Sequence, residues 1–418
     1  MNTTLLAILL SVVAFVVTML AYPYVLSFAL SHHILDNPNA RKLQRVPVPV
    51  MGGTSVFAGV LVASIVAVAT LGDVRIFWCL LLLTLMYALG VWDDMKDVSA
   101  YLRFLIEIGV VWAMILILGL EINDFKGLWG VHDIPDTFSM PLSLIAGVGI
   151  MNAINLIDGV DGYCSSYGVM ACIAFAIVFY LAGGDSLLCL ALIFVGALLP
   201  FFFHNVFGQR SKMFLGDGGS LMLGTVLSFF VFATMSSQRG CNYLESRGLS
   251  LAALTLAIMA VPVFDTLRVM MARVLKGRSP FHPDKTHLHH IFIEMEFSHL
   301  STSLIIVLGN FLIILSLILA WWLGASMEIQ LYLVVGLSLL FTCGFYYFMD
   351  SQRRANDGEG SAIFKKMCAL GRLSHRSDKP FWRFMRSVVD SRFLGGKTGL
   401  PVPGAPVTEK PKLDPRIR

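Results

Sequence analysis

Residues 5–26 read LLAILLSVVAFVVTMLAYPYVL, an apolar stretch with no charged side chain and long enough to cross a hydrocarbon core of about 30 Å. Comparable runs recur down the chain: Met51–Leu71, Ile76–Trp92, Phe104–Leu120, Phe138–Leu156, Tyr163–Leu181, Leu187–Phe203, Gly218–Thr234, Leu249–Phe264, Leu304–Leu323 and Leu331–Met349. Composition agrees. Of 418 residues, 56% are hydrophobic and only 14% charged, and the mean hydropathy of +0.75 lies far from that of soluble domains. The expected fold is an all-α, polytopic integral membrane protein of about eleven transmembrane helices. The first run lacks a basic leader and a small-residue cleavage site, so it reads as a retained helix rather than a signal peptide.

Lys and Arg set the expected orientation, because short cytoplasmic loops carry the positive excess. Arg41, Lys42 and Arg45 follow the first span, Arg268, Arg273, Lys276, Arg278 and Lys285 follow the ninth, and a basic tail follows the last. All three lie after odd-numbered spans, which places the N-terminus outside and the C-terminus in the cytoplasm. The division expected is a transmembrane catalytic domain over 1–350 and a basic cytoplasmic tail over 351–418, partly disordered. Within that tail, 364–393 mixes cations with Phe, Trp, Leu and Met, which suits either an anionic membrane surface or a solvated segment. The seven cysteines form no disulfide framework.

The same parity gathers the polar motifs on the cytoplasmic side. Asp93-Asp94-Met-Lys-Asp97 follows the third span, Asn152-Ala-Ile-Asn155-Leu-Ile-Asp158-Gly-Val-Asp161-Gly162 ends the fifth, and Phe214-Leu-Gly216-Asp217 precedes the eighth. After the ninth comes Arg278-Ser-Pro-Phe-His282-Pro-Asp284-Lys285-Thr-His287-Leu-His289-His290. Taken singly, each has a plainer reading. Asp93 and Asp94 can solvate a helix end, the Asp-Gly repeats can form a turn, and Asp217 can cap the eighth helix. The histidines lack neighbouring cysteines for a structural zinc pattern. Together they form one chemistry: carboxylates and an amide oxygen suit Mg²⁺, His and Arg suit phosphate, and glycines let a backbone approach a ligand closely. That combination points to phosphoryl transfer on a diphosphate substrate.

These blocks, with Asp36-x-Pro-x-x-Arg41-Lys42, Pro47-x-Pro49-x-x-Gly52-Gly53 and Phe264-Asp265-Thr266, resemble the polyprenyl-phosphate N-acetylhexosamine-1-phosphate transferases over about 36–290. The His-x-His-His form resembles the GlcNAc-1-phosphate branch of the glycosyltransferase 4 type. The resemblance implies transfer of a sugar 1-phosphate from a UDP-N-acetylhexosamine to undecaprenyl phosphate with release of UMP. This would begin a lipid-linked cell-surface glycan at the cytoplasmic membrane. By the same resemblance Asn155 and Asp217 hold Mg²⁺, with Mn²⁺ a substitute. Asp93, Asp94, Asp158 and Asp161 are catalytic, and Lys42, Arg278, His287, His289 and His290 bind substrate. Membrane lipids and a homodimer partner are implied, and no nucleic acid. The sequence departs from the family pattern at Gln44, where many relatives carry His, and at Gly218, whose missing side chain would loosen the start of the eighth helix. The alternative class is an ion-coupled transporter with carboxylates at helix ends, although transporter sites sit near the bilayer midplane.

Overall fold

The computed structural model describes residues 3–36, 47–236, 242–280, 285–355, 360–374 and 380–391. In hydrocarbon a backbone must satisfy its own hydrogen bonds, so apolar runs of this length become helices. Eight follow in order: α1 (Thr3–Ser31), α2 (Gly52–Leu71), α3 (Val74–Lys96), α4 (Ala100–Leu118), α5 (Asp136–Leu156), α6 (Tyr163–Leu181), α7 (Asp185–Phe207) and α8 (Gly216–Met235). After the short α9 (Asn242–Ser246) come α10 (Leu251–Ile258), α11 (Ala260–Leu275) and α12 (Leu288–Glu294). Then follow α13 (His299–Trp322), and α14 (Met327–Leu339) joined through a π-helical turn to α15 (Phe345–Arg354). Among the described residues ten helices are long and apolar enough to span a membrane, or eleven with the bent α10–α11 pair. The protein is a multi-pass, all-α membrane protein.

The ninth apolar run differs from a straight span: α10 and α11 meet at 74°. Pro262 has no N–H to offer the carbonyl of Ile258 one turn earlier, which breaks the hydrogen-bond ladder there. Side chains from other helices take up the freed groups. Asn310 of α13 accepts from the Val261 N–H (2.9 Å) and donates to the carbonyls of Ala257 (3.2 Å) and Ile258 (3.1 Å). The Tyr167 hydroxyl donates to Ile258 as well (2.8 Å).

At the centre stands α8, buried on every side from Gly218 to Met235 and packed among α2, α3, α5, α6 and α10. Small residues permit this. A Cβ on Gly90 of α3 would come within 2.4 Å of the Asp217 and Gly218 backbone, so the two helices touch main chain to main chain. Gly218 therefore belongs to a tight contact, in a helix that begins two residues earlier at Gly216. Just before α8, the stretch following β2 (Val48–Pro49, paired antiparallel with β1, Leu35–Asp36) zips onto residues 214–215. Gly52 and Gly53 donate to the carbonyls of Phe214 (2.8 Å) and Leu215 (2.7 Å). Two further helices, α16 (Ala362–Leu373) and α17 (Pro380–Asp390), lie against the body at the end where α7 finishes.

Substituting Asn310 with Leu leaves the buried Val261 N–H without its acceptor and takes one of the donors from each of the Ala257 and Ile258 carbonyls, so stability should fall by on the order of 1–3 kcal/mol. A lowered unfolding midpoint of the detergent-purified protein would register the loss; an unchanged midpoint would mean that the break is held by other groups.

Candidate active site

Helix α3 runs one turn beyond its apolar run, to Lys96, and stops where Asp97 turns left-handed (φ 46°). Asp93 and Asp94 consequently sit on the last turn of the helix rather than in the link after it. Asp93 accepts from the Val98 N–H (2.8 Å) and from the guanidinium of Arg103 on α4 (3.2 Å). Asp94 points at the start of α8 and accepts from the backbone N–H groups of Asp217 (3.0 Å) and Gly218 (3.3 Å). The N-terminus of the most buried helix is thus capped by a carboxylate from a neighbouring helix. Gly216, at φ +76°, supplies the turn, and a Cβ there would meet Asp94 Oδ2 at 2.6 Å.

Asp217 lies in the first turn of α8, where Asn155 of α5 donates to its Oδ1 (2.6 Å) and to Ser220 Oγ (3.0 Å). Its carboxyl also reaches that of Asp93. One turn back on α5, Asn152 donates to Glu107 of α4. Glu107 is fully buried, faces Arg103 at 3.6 Å, and keeps Oε1 without a hydrogen-bond partner among the described residues.

The link between α5 and α6 carries two acids with opposite fates. Burial pushes the Asp158 carboxyl well above the usual range, the charges of Asp217 and Asp94 add to the effect, and the Gly216 N–H only partly offsets it. Burial would raise Asp161 too, but Lys212 (2.6 Å) and His299 (2.9 Å) outweigh it and hold this carboxyl at about 2.

The histidine segment is fixed by Asp265. Its carboxylate takes Arg268 (2.6 Å), His287 Nδ1 (2.9 Å) and the Leu288 N–H (3.1 Å), while His287 Nε2 is buried with no partner among the described residues. His289 stacks beside His287 and His290, with ring centroids 5.8 and 4.3 Å apart. Its Nε2 lies 3.0 Å from where a Cβ on Gly159 would stand. Burial, helped by the two neighbouring rings, depresses the His289 pKa well below its usual value, so this ring is a neutral hydrogen-bonding group rather than a cation.

Asp93, Asp94, Asn155, Asp158 and Asp217 are therefore brought to one place, and Asp161, His287 and His289 border it. His290 follows on α12, Arg278 lies exposed after α11, and Lys42 falls outside the described residues. Four residues of the site escape motif reading: Arg103, Glu107, Lys212 and His299. Arg103 and Glu107 did carry a signal, as an ion pair at i,i+4 inside an otherwise apolar helix. Lys212 and His299 carry none, because only folding brings them to Asp161.

Among the described residues no set of three or more His, Cys, Asp or Glu is arranged as a cation cage. The donor chemistry nevertheless fits Mg²⁺, which uses one or two protein carboxylates and takes its remaining oxygens from phosphate and water. Asp93, Asp94, Asp158 and Asp217 act on one another electrostatically, and a divalent cation on Asp217 and the Asn155 amide would offset that charge.

Fold and site together define a polytopic membrane protein with an acid-rich cluster at one end of its bundle. Residues 76–235 match the model of glycosyl transferase family 4. A probable undecaprenyl-phosphate N-acetylglucosaminyl 1-phosphate transferase of Bacillus subtilis is 32% identical over 316 residues, 73% of this chain and 84% of the relative. Undecaprenyl-phosphate alpha-N-acetylglucosaminyl 1-phosphate transferases of Yersinia pestis (29% over 280 residues) and Escherichia coli K12 (28% over 283) cover 66% of this chain and 74% and 73% of their own lengths. The chain belongs to glycosyl transferase family 4.

The Asp161 cluster has a pH signature. A carboxyl held at about 2 in the folded protein, against about 3.9 unfolded, contributes on the order of 2 kcal/mol above pH 4 and loses it as the pH falls toward 2. Lys212→Met should lower the thermal midpoint at pH 7, and the gap to wild type should close on acidification through that window. A gap independent of pH would show that the pair does not carry the stabilisation.

Proposed function

We propose that the protein transfers N-acetylhexosamine 1-phosphate, with GlcNAc 1-phosphate the leading choice, from a UDP-sugar to undecaprenyl phosphate at the cytoplasmic face of the inner membrane, releasing UMP. The observation that carries this reading is the convergence of Asp93, Asp94, Asn155, Asp158 and Asp217 on the last turn of α3, the end of α5 and the first turn of α8. The relatives' names speak for the transferred sugar phosphate and the acceptor. The transporter alternative has no comparable support: Asp93, Asp94 and Asp217 stand at helix ends, not mid-span.

In this scheme an oxygen of the lipid phosphate attacks the sugar-bearing phosphorus, the bond from that phosphorus to the bridging oxygen breaks, and UMP departs with the electron pair. The acceptor is already largely ionised near neutral pH, so direct attack needs no covalent enzyme intermediate. Asp93 orients the acceptor and takes any proton left on it, with Arg103 holding that carboxylate in place. Asp94 serves by fixing the start of α8 and hence the direction of Asp217. Bound Mg²⁺, held by Asn155 and Asp217, would supply charge neutralisation for the diphosphate. Asp158 stands beside the same acids, and Asp161, tied to Lys212, shapes the nucleotide side. His287 offers Nε2 to a phosphate or sugar oxygen and His289 a neutral ring; His290, Arg278 and Lys42 complete the substrate-binding set.

The test is transfer of label from UDP-GlcNAc carrying ³²P in its β-phosphate, and in parallel from UDP-GalNAc, into an organic-extractable undecaprenyl product. Purified protein should label the lipid only with Mg²⁺ or Mn²⁺ present and release UMP in equal amount. Asp217→Ala and Asn155→Ala should each lower turnover on the order of 10²-fold or more while remaining monodisperse. Full turnover in both would remove the metal assignment, and no labelling by folded wild type from either donor would remove the sugar assignment.

A further inference from the structure

The last helix among the described residues reaches the site from outside it. Helix α17 lies across the end of α7, with the rings of Phe381 and Trp382 6.1 and 5.1 Å from that of Phe207. Its last residue, Asp390, is buried beside the link from α7 to α8. One oxygen accepts from the N–H groups of Gln209 (3.1 Å) and Arg210 (3.3 Å), the other from the Ser211 N–H (3.1 Å) and Oγ (2.8 Å). Three successive backbone donors converging on one carboxylate form an anion nest, filled here by the protein's own side chain. The adjoining residues lead straight to the site. The Ser211 carbonyl accepts from Tyr22 of α1 (2.7 Å), and the next residue is Lys212, with Nζ 2.6 Å from Asp161. Asn205 then ties the Met213 carbonyl (2.9 Å) to the Gly162 N–H (2.6 Å), beside Asp161.

The same part of the chain also braces the histidine segment. Arg372 of α16 pairs with Glu296 (3.0 Å), and Ser374 Oγ accepts from the Ser298 N–H (2.8 Å). Gly371 packs so closely on the residues ending α12 that a Cβ would stand 2.2 Å from the Met295 carbonyl.

We propose that Asp390 is a positioning residue: it fixes the 209–211 backbone and thereby holds Lys212 on Asp161, making the C-terminal segment a working part of the site. Its effect on turnover rests on the transferase reading above, whereas the clamp itself rests on geometry alone. Tyr22 and Asn205 hold the carbonyls on either side of Lys212, whereas Gly208 leaves α7 in an extended conformation and the next three N–H groups all go to Asp390.

The test compares full-length wild type, Asp390→Ala, Asp390→Asn, Lys212→Ala and the Asp390→Ala/Lys212→Ala double variant in lipid nanodiscs. Hydrogen exchange at 209–212 should quicken in Asp390→Ala and much less in Asp390→Asn, which keeps one acceptor oxygen. In the transfer assay Asp390→Ala should lose on the order of ten-fold in kcat/KM or more, with partial rescue by Asp390→Asn. The double variant should be no slower than Lys212→Ala, since both changes act through one contact. Unchanged exchange in Asp390→Ala, or losses that multiply in the double variant, would overturn the proposal. Should Asp390→Ala not be recovered folded, Asp390→Asn and Ser211→Ala, which removes one of the four donors, carry the same comparison. A wild type that transfers no sugar would remove the function reading alone, and the exchange at 209–212 would still decide the clamp.

Discussion

The carboxylate of Asp94 meets the first turn of α8, and much of the remaining architecture depends on that contact. A helix buried on all sides has no water for its leading N–H groups, and orphaned donors in such surroundings cost on the order of 1–3 kcal/mol each. Asp94 satisfies the N–H groups of Asp217 and Gly218. It reaches them only because Gly90 and Gly218 let α3 and α8 approach at main-chain distance and because Gly216 turns left-handed beside it. Once α8 is seated in this way, Asp217 faces Asn155 of α5 and Asp93 of α3. A contact demanded by folding therefore also sets the direction of the acid at the centre of the site.

The consequence is a concentration of negative charge that the protein offsets only in part. Arg103 sits between Asp93 and Glu107, and Lys212 and His299 are committed to Asp161. Asp158, by contrast, is pushed upward by burial and by its acidic neighbours. This inequality divides the acids into two groups. Asp161 is ion-paired through one oxygen and fixes the link after α5, while the cluster around Asp217 would gain from a divalent cation. The neutral state of His289 follows the same economy of charge, since a second cation in that buried stack would be repelled by its neighbours.

How much of this was legible in the sequence follows from the physics of each feature. Spans are readable because hydrocarbon imposes one rule on every residue of a run, and all eleven apolar runs became helices. Length alone could not foretell that the ninth would break. Pro262 marks the place, but the break is tolerable because of Asn310 and Tyr167, residues that lie 49 and 91 positions from their partners. The acid motifs were readable because Asp, Asn and Gly crowded at span ends have little other reason to be there. The division of labour among them was not: Asp93 and Asp94 are adjacent, yet one meets Arg103 and the other caps α8, according to the side of α3 each occupies. Lys212, His299 and Asp390 look like ordinary polar residues in the sequence, and only packing gives them partners.

The bundle satisfies many of its buried polar groups by reaching across helices, and the atoms it leaves over near the acids are informative. Among the described residues, the buried side-chain atoms without hydrogen-bond partners include several hydroxyls and, near the acid cluster, Glu107 Oε1, which faces Arg103 at 3.6 Å, Asp161 Oδ1 and His287 Nε2. Each of these last three belongs to a side chain whose other polar atom is firmly held, by Asn152, by Lys212 and by Asp265 respectively. Holding one atom fixes the direction of the other, and a pre-aimed group loses less entropy when a ligand arrives than a free one does. The three come from α4, the link after α5 and the start of α12, parts of the chain that are far apart in sequence. The acids and amides that make the fold possible and the atoms left over for chemistry are thus opposite ends of the same side chains.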